Sequence, residues 1–345
     1  MKWGLVARPE TNRGLGVQTA SIAEHLHPDK ILTVVLPESG KDMSQQWAGD
    51  ATVFFNKGRF YDVEAAINWA KGLDVVLSVE TFYDPRFHAA FPRMWTKSVL
   101  YGNPEFHAPH LFTPDAYWWP TSWLRNKIAR GPVIPMGVDP AGTISGKAWD
   151  TGPLRVVHPI GRPALGDRNG TALVFEALQF IAEPVHLTVT ALHSSPALEA
   201  WAAGNYEVGP NVTVEVSIGA DSEDRWANYA NQHAILLPRR YGGNCLPAQE
   251  AAACGLALFM SDCSPNAEYP GYLMASTKHS VETMPVGQVH SWRVPPSTIG
   301  RTINHFAAKR DMLERLQEKS LEWAAGRSWD KVRPLWIDGM KKLCA

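Results

Sequence analysis

Several features that assign a function directly are missing from this sequence. No apolar run approaches the roughly 18–20 residues that a membrane-spanning helix needs, so we expect no membrane span. Lysine plus arginine (33) nearly balance aspartate plus glutamate (34), so the overall charge gives no support for strong non-specific binding to nucleic acids. No Asp-x-Asp pair occurs that would hold a divalent ion, so we expect no metal site. The chain must therefore be classified by its strands, loops and individual polar residues.

Cysteine is also scarce, with four in 345 residues. Cys245, Cys254 and Cys263 recur at every ninth position, a spacing that matches no common zinc site. We therefore expect all four thiols, including that of Cys344, to be buried and reduced, as in a cytoplasmic protein. The N-terminal Met1-Lys2-Trp3 leads directly into a strand-like segment without a signal-peptide pattern, which agrees with a cytoplasmic location.

Short β-branched runs alternate with helical patterns, which is typical of an α/β fold with mainly parallel sheets. A glycine- and proline-rich break at 131–140 divides this alternation in two, and the length suffices for two domain cores. We predict doubly wound domains over 1–140 and 154–325, a linker over 141–153, and a C-terminal helix over 326–345 that packs back on the first domain. Ligands of such sheets bind at the carboxyl ends of the strands, where two facing domains would form a cleft.

The predicted elements are defined by runs of apolar and β-branched residues and by helical periodicity. The predicted strands are 3–7, 31–36, 52–55, 74–79, 98–101, 117–119, 154–157, 185–190, 212–216, 234–237 and 256–260. The predicted helices are 19–26, 63–71, 171–180, 225–231 and 246–253, and helices without a further strand are predicted after about Thr298.

The loop after the first predicted strand, 8–19, contains Gly14 and Gly16. Glycines here let a ligand approach the amides of the next helix, or allow a tight strand-to-helix turn. A dinucleotide fingerprint requires a third glycine where Thr19 stands, and no acidic residue follows a clean second strand. The loop therefore does not indicate nicotinamide or flavin binding; either a turn or a contact with another ligand in the cleft fits it.

The second domain opens with a strand that ends at Gly161, followed by Arg162 and, six positions later, by Arg168 beside Asn169-Gly170. A helix begins directly afterwards. Two guanidinium groups and a helix N-terminus that converge on one point form a site for diphosphate oxygens. We therefore expect this segment to bind an anion.

A third segment, 237–255, runs from a buried strand through a glycine-rich loop into a short helix. Glu250 is the one carboxylate in that helix, and an unpaired charge among small apolar residues is costly. Its partner is either a basic side chain, which would make it structural, or a ligand such as a ribose diol, whose two hydroxyls both donate to a carboxylate. The loop residues expected to contact the same ligand are Gly242, Gly243, Asn244, Cys245 and Leu246.

The stretch 240–255 resembles the donor-site signature of the large family-4 group of retaining glycosyltransferases, which have the GT-B fold of two facing Rossmann-like domains. The resemblance extends over the whole chain and is specific in the second domain. It implies metal-independent, retaining transfer from a nucleoside diphosphate sugar, such as a UDP- or GDP-sugar, with no other cofactor. Segments that agree in order are Gly14–Gly16, 133–139, Gly161-Arg162 with Asn169-Gly170, and Ser328-Trp329.

Two positions depart from the family pattern. The family's first acidic residue falls on Gly242, and its lysine falls on Asn169, with Arg168 beside it as the substitute. These departures leave the identity of the sugar open. The loops resemble those of bacteriophage-encoded members, which would act in the host cytoplasm. An epimerase, a phosphorylase and a non-catalytic module that binds nucleotide sugars or nucleic acid are the rival functions.

The acceptor side belongs to the first domain. Glu80 follows one buried strand, and Asn103 and His107 follow the next, so these residues are the candidates to position an acceptor hydroxyl. A purely structural role is the alternative for His107. The phage-like loops suggest a hydroxymethylated pyrimidine in double-stranded DNA, with a virion protein or a cell-envelope glycan as rivals. The aromatic residues Phe82, Tyr83 and Trp95 are candidates to stack on a flipped base. Basic residues that form either a DNA-binding rim or ordinary solvated surface are Arg8, Arg13, Lys57, Arg59, Arg86 and Arg93.

Overall fold

The computed structural model describes residues 1–10, 14–37, 49–103, 105, 111–139, 141, 152–160, 167–219 and 225–345. The chain divides into two compact units. The first comprises Met1–Gly137, Thr283–Gly287 and Arg327–Ala345, and the second comprises Val138–Glu282 and Gln288–Gly326. Most of the predicted linker, 141–153, lies outside the described residues.

A sheet of seven strands forms the centre of the first unit, and six of them are parallel. The strands are β1 (Trp3–Ala7), β2 (Lys30–Val35), β3 (Ala51–Asn56), β4 (Arg59–Phe60), β5 (Val75–Val79), β6 (Lys97–Tyr101) and β7 (Ala116–Trp118), in the spatial order β4-β3-β2-β1-β5-β6-β7. The helices along this part of the chain are α1 (Gly14–Leu26), α2 (Val63–Ala70), α3 (Pro85–Ala90) and α4 (Arg125–Ile128). The central strands are buried on both faces, as expected for strands with helices on both sides.

The second unit has a six-stranded, fully parallel sheet. Its strands are β8 (Leu154–Pro159), β9 (Val185–Ala191), β10 (Val212–Ile218), β11 (Ala234–Leu237), β12 (Ala257–Ser261) and β13 (Tyr272–Met274), in the order β10-β9-β8-β11-β12-β13. A two-stranded hairpin follows, made of β14 (Thr277–Met284) and β15 (Gly287–Arg293). The remaining helices are α5 (Thr171–Ala177), α6 (Pro196–Ala202), α7 (Leu246–Ala253), α8 (Pro296–Ala308), α9 (Arg310–Gly326) and α10 (Trp329–Cys344).

The C-terminal helix α10 packs in the core of the first unit. Trp329 and Trp336 are 4% and 0% exposed and lie in the same apolar cluster as the central strands. The indole of Trp329 donates to Ser21 Oγ on α1 at 2.9 Å, and that of Trp336 donates to the Pro135 carbonyl at 3.0 Å. Both buried indole N–H groups are thus satisfied, as buried polar groups in a core require.

In both sheets the strand order reverses beside the first strand of the unit. In the first unit β1 lies between β2 and β5, and in the second unit β8 lies between β9 and β11. Helices that leave such a point diverge to opposite faces, which opens a crevice at the carboxyl ends of the two central strands. These two edges, one in each unit, are where a ligand is expected.

The predicted α/β class with parallel sheets is confirmed. The prediction missed β4 and the three strands after 256–260, β13, β14 and β15, and it missed the short helices α3, α4 and α6. It also placed all four thiols in the interior, whereas Cys344, at the end of α10, is exposed. None of the described helices combines the length and apolar character that a membrane span requires.

Candidate functional site

The loop before α5 approaches the loop after β11 through two contacts. Gly170 has φ +74°, and a Cβ placed there would lie 2.6 Å from the Pro238 carbonyl oxygen, so any other residue is excluded by both strain and clash. Beside it, the Arg240 amide donates to the Arg168 carbonyl at 2.8 Å. Arg168 itself is half-buried. The reversal point of the second sheet therefore brings Arg168 next to the glycine-rich loop.

The N-terminus of α5 is closed by the protein's own carboxylate. Asp167 accepts hydrogen bonds from the amides of Thr171 (2.6 Å) and Ala172 (3.0 Å). An aspartate in this position caps the helix and offsets the positive end of its dipole. The prediction that the first amides of this helix bind diphosphate oxygens is therefore wrong, because Asp167 already accepts from them. Anion binding by the Arg168 side chain stays a prediction.

Asn169 braces the end of β8. Its Nδ2 donates to the Pro159 carbonyl at 3.3 Å and also to the Ile160 carbonyl. These bonds fix the loop relative to the strand, so the amide nitrogen of Asn169 is already used within the protein. Gly161 and Arg162 lie outside the described residues.

A buried histidine that sequence reasoning did not single out joins three elements beneath this edge. His158, on β8, is 0% exposed, with Nδ1 2.8 Å from the Leu236 carbonyl on β11 and Nε2 3.0 Å from Thr171 Oγ1 on α5. Burial lowers the pKa of His158, which favours the neutral imidazole. The neutral ring then donates from Nδ1 to the carbonyl and accepts the threonine hydroxyl. The one signal for this role was a polar residue within an apolar strand.

The loop between β11 and α7 is held open by glycine and oriented by side chains. Gly242 has φ +133°, a conformation that side-chain-bearing residues rarely adopt, so an acidic residue at this position would be strained. The Cys245 amide, which precedes α7, donates to the Tyr269 hydroxyl at 2.9 Å. Gly243 is buried and Leu246 is the first residue of α7.

Asn244 presents a donor at the N-terminal end of α7. Gln249 Nε2 donates to Asn244 Oδ1, and this hydrogen bond fixes the orientation of the Asn244 amide. Asn244 Nδ2 is consequently turned away, and within the described part of the chain this buried nitrogen finds no acceptor. A buried donor without an acceptor costs about 1–3 kcal/mol. A ligand oxygen at the positive end of the helix would satisfy it.

Glu250 lies on α7 and is half-buried. The Tyr229 hydroxyl, which is at the end of the 3-10 helix Arg225–Tyr229, donates to its Oε2 at 2.6 Å. Burial, followed by the negative charge of Glu250, raises the pKa of Tyr229 well above its ordinary value, so the hydroxyl remains a donor. Tyr229 is separated from Glu250 by 21 positions, and nothing local in the sequence indicated the pair.

The hairpin contacts the same loop. Arg240 forms an ion pair with Glu282 on β14 (3.0 Å) and a hydrogen bond with Ser280 Oγ (3.3 Å). The Trp292 amide on β15 donates to the Arg240 carbonyl at 2.8 Å. Both strands of the hairpin therefore bind Arg240, whose own amide holds Arg168.

At the carboxyl edge of the first sheet, a buried polar pair and a partly buried one follow β1, β5 and β6. Arg8 Nε donates to Glu10 Oε2 at 3.0 Å, and these residues are 6% and 1% exposed. The Asn103 amide donates to the Glu80 carboxylate. The structure thus brings Glu80 and Asn103 together, and their acceptor role stays a prediction, while His107 lies outside the described residues.

The glycine loop of the first unit is packed as a turn. Gly14 begins α1, and a Cβ on Gly16 would lie 1.4 Å from the Glu10 carbonyl oxygen. The space beside Gly16 is filled by the protein's own backbone, which favours the tight-turn interpretation.

One member of the proposed basic rim is buried and another is paired. Arg8 is buried against Glu10, whereas Arg86 is exposed and pairs with Asp84 at 2.6 Å. Phe82, a candidate for stacking on a base, is 0% exposed and belongs to the apolar core, because β5 and the residues after it face α3 there. The exposed residues among the predicted basic and stacking residues are Lys57, Arg59, Arg86, Arg93 and Trp95, and Arg13 lies outside the described residues.

Comparison with solved structures gives matches over nearly the whole chain. Sucrose-phosphate synthase from Thermosynechococcus elongatus aligns with a TM-score of 0.70 at 13% identity, covering 99% of both chains. HepE from Anabaena, in complex with UDP and glucose, aligns with a TM-score of 0.68 at 10% identity, covering 99% of this chain and 100% of HepE.

The fold is GT-B. A glycosyltransferase from Rickettsia africae shows the same GT-B likeness, with a TM-score of 0.66 at 12% identity over 99% of this chain and 98% of its own. No protein-family model and no curated protein sequence matches the chain. The likeness is therefore one of fold, and the chemistry must be argued from the site.

Proposed function

We propose that this protein is a glycosyltransferase that moves a sugar from a nucleoside diphosphate sugar to an acceptor hydroxyl. The observation that carries the proposal is the buried Asn244 Nδ2 at the N-terminal end of α7, in the loop next to Arg168. An unsatisfied donor, a helix N-terminus and a guanidinium group together suit an anionic leaving group. The GT-B fold, shared with a protein solved with UDP and glucose, supports the same conclusion.

In this proposal Arg168 and Arg162 bind the diphosphate, and the loop from Gly242 to Leu246 contributes amides. Glu250, oriented by the Tyr229 hydroxyl, accepts from the ribose hydroxyls. Charge on the leaving diphosphate is balanced by these groups without a metal ion, and the leaving phosphate removes the proton from the acceptor. We propose transfer with retention from a UDP- or GDP-sugar.

Incubation of the protein with a panel of nucleotide sugars, with and without acceptors, tests this proposal. Release of nucleoside diphosphate that is unchanged by excess chelator is expected. An absolute requirement for a divalent ion would contradict the metal-free mechanism. Binding of a nucleotide sugar without turnover would instead indicate a non-catalytic module, a candidate kept because Gly242 replaces the acidic residue of the family that the sequence resembles.

A further inference from the structure

The carboxyl edge of the first sheet holds one connected polar cluster, formed by Arg8, Glu10, Glu80, Tyr83 and Asn103. The first two form a buried ion pair, and Arg8 is also hydrogen-bonded to the Tyr83 hydroxyl. Burial is the main cause of the raised pKa of Tyr83, and the charges of Arg8 and Glu80 lie close enough to act on it in opposite directions. Since β1, β5 and β6 are adjacent, the groups that follow them meet at the reversal point of the sheet.

The backbone after β5 is strained in order to place two of these side chains. Glu80 and Tyr83 have φ values of +66° and +65°, which residues other than glycine seldom adopt. The segment is held by hydrogen bonds from the Glu80 amide to the Tyr101 carbonyl (2.9 Å) and from the Tyr83 amide to Thr81 Oγ1 (3.0 Å). Strain that surrounding contacts enforce is concentrated at functional sites.

Asn103 carries an oxygen that no described residue satisfies. Its Nδ2 donates to the Glu80 carboxylate, and a carboxylate accepts only from the nitrogen side of the amide, so the orientation of the amide is fixed. Asn103 is 8% exposed, and no donor among the described residues reaches Oδ1. A hydroxyl hydrogen from a ligand would remove the cost of this buried acceptor.

We infer that this cluster binds an uncharged, hydroxyl-rich acceptor, a glycan or other polyol, through Glu80 and Asn103. The inference rests on the proposed transferase function and names its acceptor class. The atom of the cluster that no described residue satisfies is an oxygen, and the Glu80 carboxylate beside it is also an acceptor. Both groups accept hydrogen bonds from hydroxyl donors, whereas a phosphate oxygen offers them no hydrogen. A glycan is therefore favoured over the phosphate-lined duplex that surrounds a hydroxymethylated pyrimidine.

The direction in which the acceptor KM changes when the negative charge of Glu80 is removed distinguishes the two acceptor classes. Glu80→Gln keeps an oxygen for the Asn103 amide but removes the negative charge. For an uncharged glycan we expect KM for the acceptor to rise about tenfold, because a charge-assisted hydrogen bond is weakened. For DNA or a sugar phosphate, removal of a repulsive charge would lower KM instead. Asn103→Ala is expected to act in the same direction as Glu80→Gln, whereas Asn68→Ala, at an exposed asparagine of α2, is the matched control.

The probes are unmodified maltooligosaccharides and methyl hexosides, hydroxymethylated duplex DNA, and a hexose phosphate, each offered with labelled nucleotide sugar. Binding of the uncharged sugars is also measured by saturation-transfer NMR in the presence of UDP. Two results support the inference. One is labelling of the neutral sugars, and the other is binding of these sugars to the wild type that is lost in Glu80→Gln. Labelling confined to DNA or to the hexose phosphate overturns it and leaves the transferase function standing. If the neutral sugars bind but no nucleotide sugar is turned over, the inferred hydroxyl-binding site is supported and the proposed transferase function is contradicted.

Discussion

Asn103 in the first unit and Asn244 in the second show how one residue type serves two opposite chemistries. The Asn103 nitrogen donates to the Glu80 carboxylate, which leaves an oxygen that no described residue satisfies. The Asn244 oxygen accepts from the Gln249 nitrogen, which leaves a nitrogen without an acceptor in the described part of the chain. The neighbour that orients each amide therefore decides whether the loop offers an acceptor or a donor.

The charges around the two asparagines follow the same division. In the first unit the guanidinium of Arg8 is buried in an ion pair with Glu10, and Glu80 adds a further negative charge. In the second unit Arg168 is half-buried beside the glycine-rich loop. We interpret the second edge as the anion-binding site and the first as the hydroxyl-binding site, and each prediction below tests that division.

The largest effect is expected at the diphosphate site. Arg168→Ala and Arg162→Ala should each weaken donor binding by roughly 1.5–3 kcal/mol, because each removes a charge-assisted contact to phosphate. The double variant should lose turnover. Isothermal calorimetry with UDP and GDP measures the binding. Arg315→Ala, an arginine on α9 whose side chain is 73% exposed, is the control that should bind as the wild type does. Unchanged affinity in the double variant would remove the anion-binding assignment.

The ribose contact should give the next largest effect. Glu250→Gln is expected to fold normally and to bind nucleoside diphosphate about tenfold more weakly, since an amide replaces a charged acceptor. Inorganic diphosphate should bind it as before, and an equal loss for that probe would indicate general damage to the loop. Tyr229→Phe removes the hydroxyl that orients Glu250, so a smaller loss in the same direction is expected.

A pH-dependent effect on stability is expected at Asp84 in the first unit. Burial opposes ionisation of Asp84, but hydrogen bonds from Arg86 and from the Phe60 amide outweigh it and lower its pKa. A carboxyl group with a depressed pKa stabilises the fold above its unfolded pKa of about 3.9, and this contribution is lost as the pH falls through the folded value. Asp84→Asn should lower the melting temperature by about 5 °C at pH 7 and by less near pH 3.

The same variant tests whether the two edges act independently, because Asp84 caps α3 and lies next to the strained segment that contains Glu80 and Tyr83. Acceptor KM should rise in Asp84→Asn, while UDP affinity measured by calorimetry should stay unchanged. A parallel loss of UDP affinity would show that the two sites are not independent.

Secondary-structure elements and some site residues could be predicted from the sequence where the pattern that indicates them is local. Apolar strands such as β1 and β11 were recognisable because helices cover both faces, which leaves no polar alternation. The hairpin was not, since β14 and β15 alternate exposed polar residues outside the main sheets. The Asp167 cap, close before α5, is a local signal that was readable but overlooked.

The features that distinguish the two edges depend on distant contacts. The orientation of Asn103 is set by Glu80, which is 23 positions away, and Tyr229 reaches Glu250 across 21. Neither pair has a spacing that a helix or strand period would reveal. Arg168 and Glu250 could be selected from the sequence because a charge in an apolar or glycine-rich segment is conspicuous. The orientation of the Asn103 and Asn244 amides could not be predicted, because it depends on hydrogen bonds that only the fold reveals.

The smallest effect is expected where the hairpin holds the glycine-rich loop. The Arg240 and Glu282 side chains are 21% and 31% exposed, and partly solvated pairs of this kind contribute about 0.5–1 kcal/mol. Glu282→Gln should therefore weaken UDP binding about threefold, because Arg240 fixes the Arg168 loop through its backbone amide. Exchange of the two charges, Arg240→Glu with Glu282→Arg, should restore affinity, and Glu314→Gln on α9 should leave it unchanged. If the exchanged pair binds UDP no better than Glu282→Gln alone, Arg240 contacts the anion itself and does not merely position the loop.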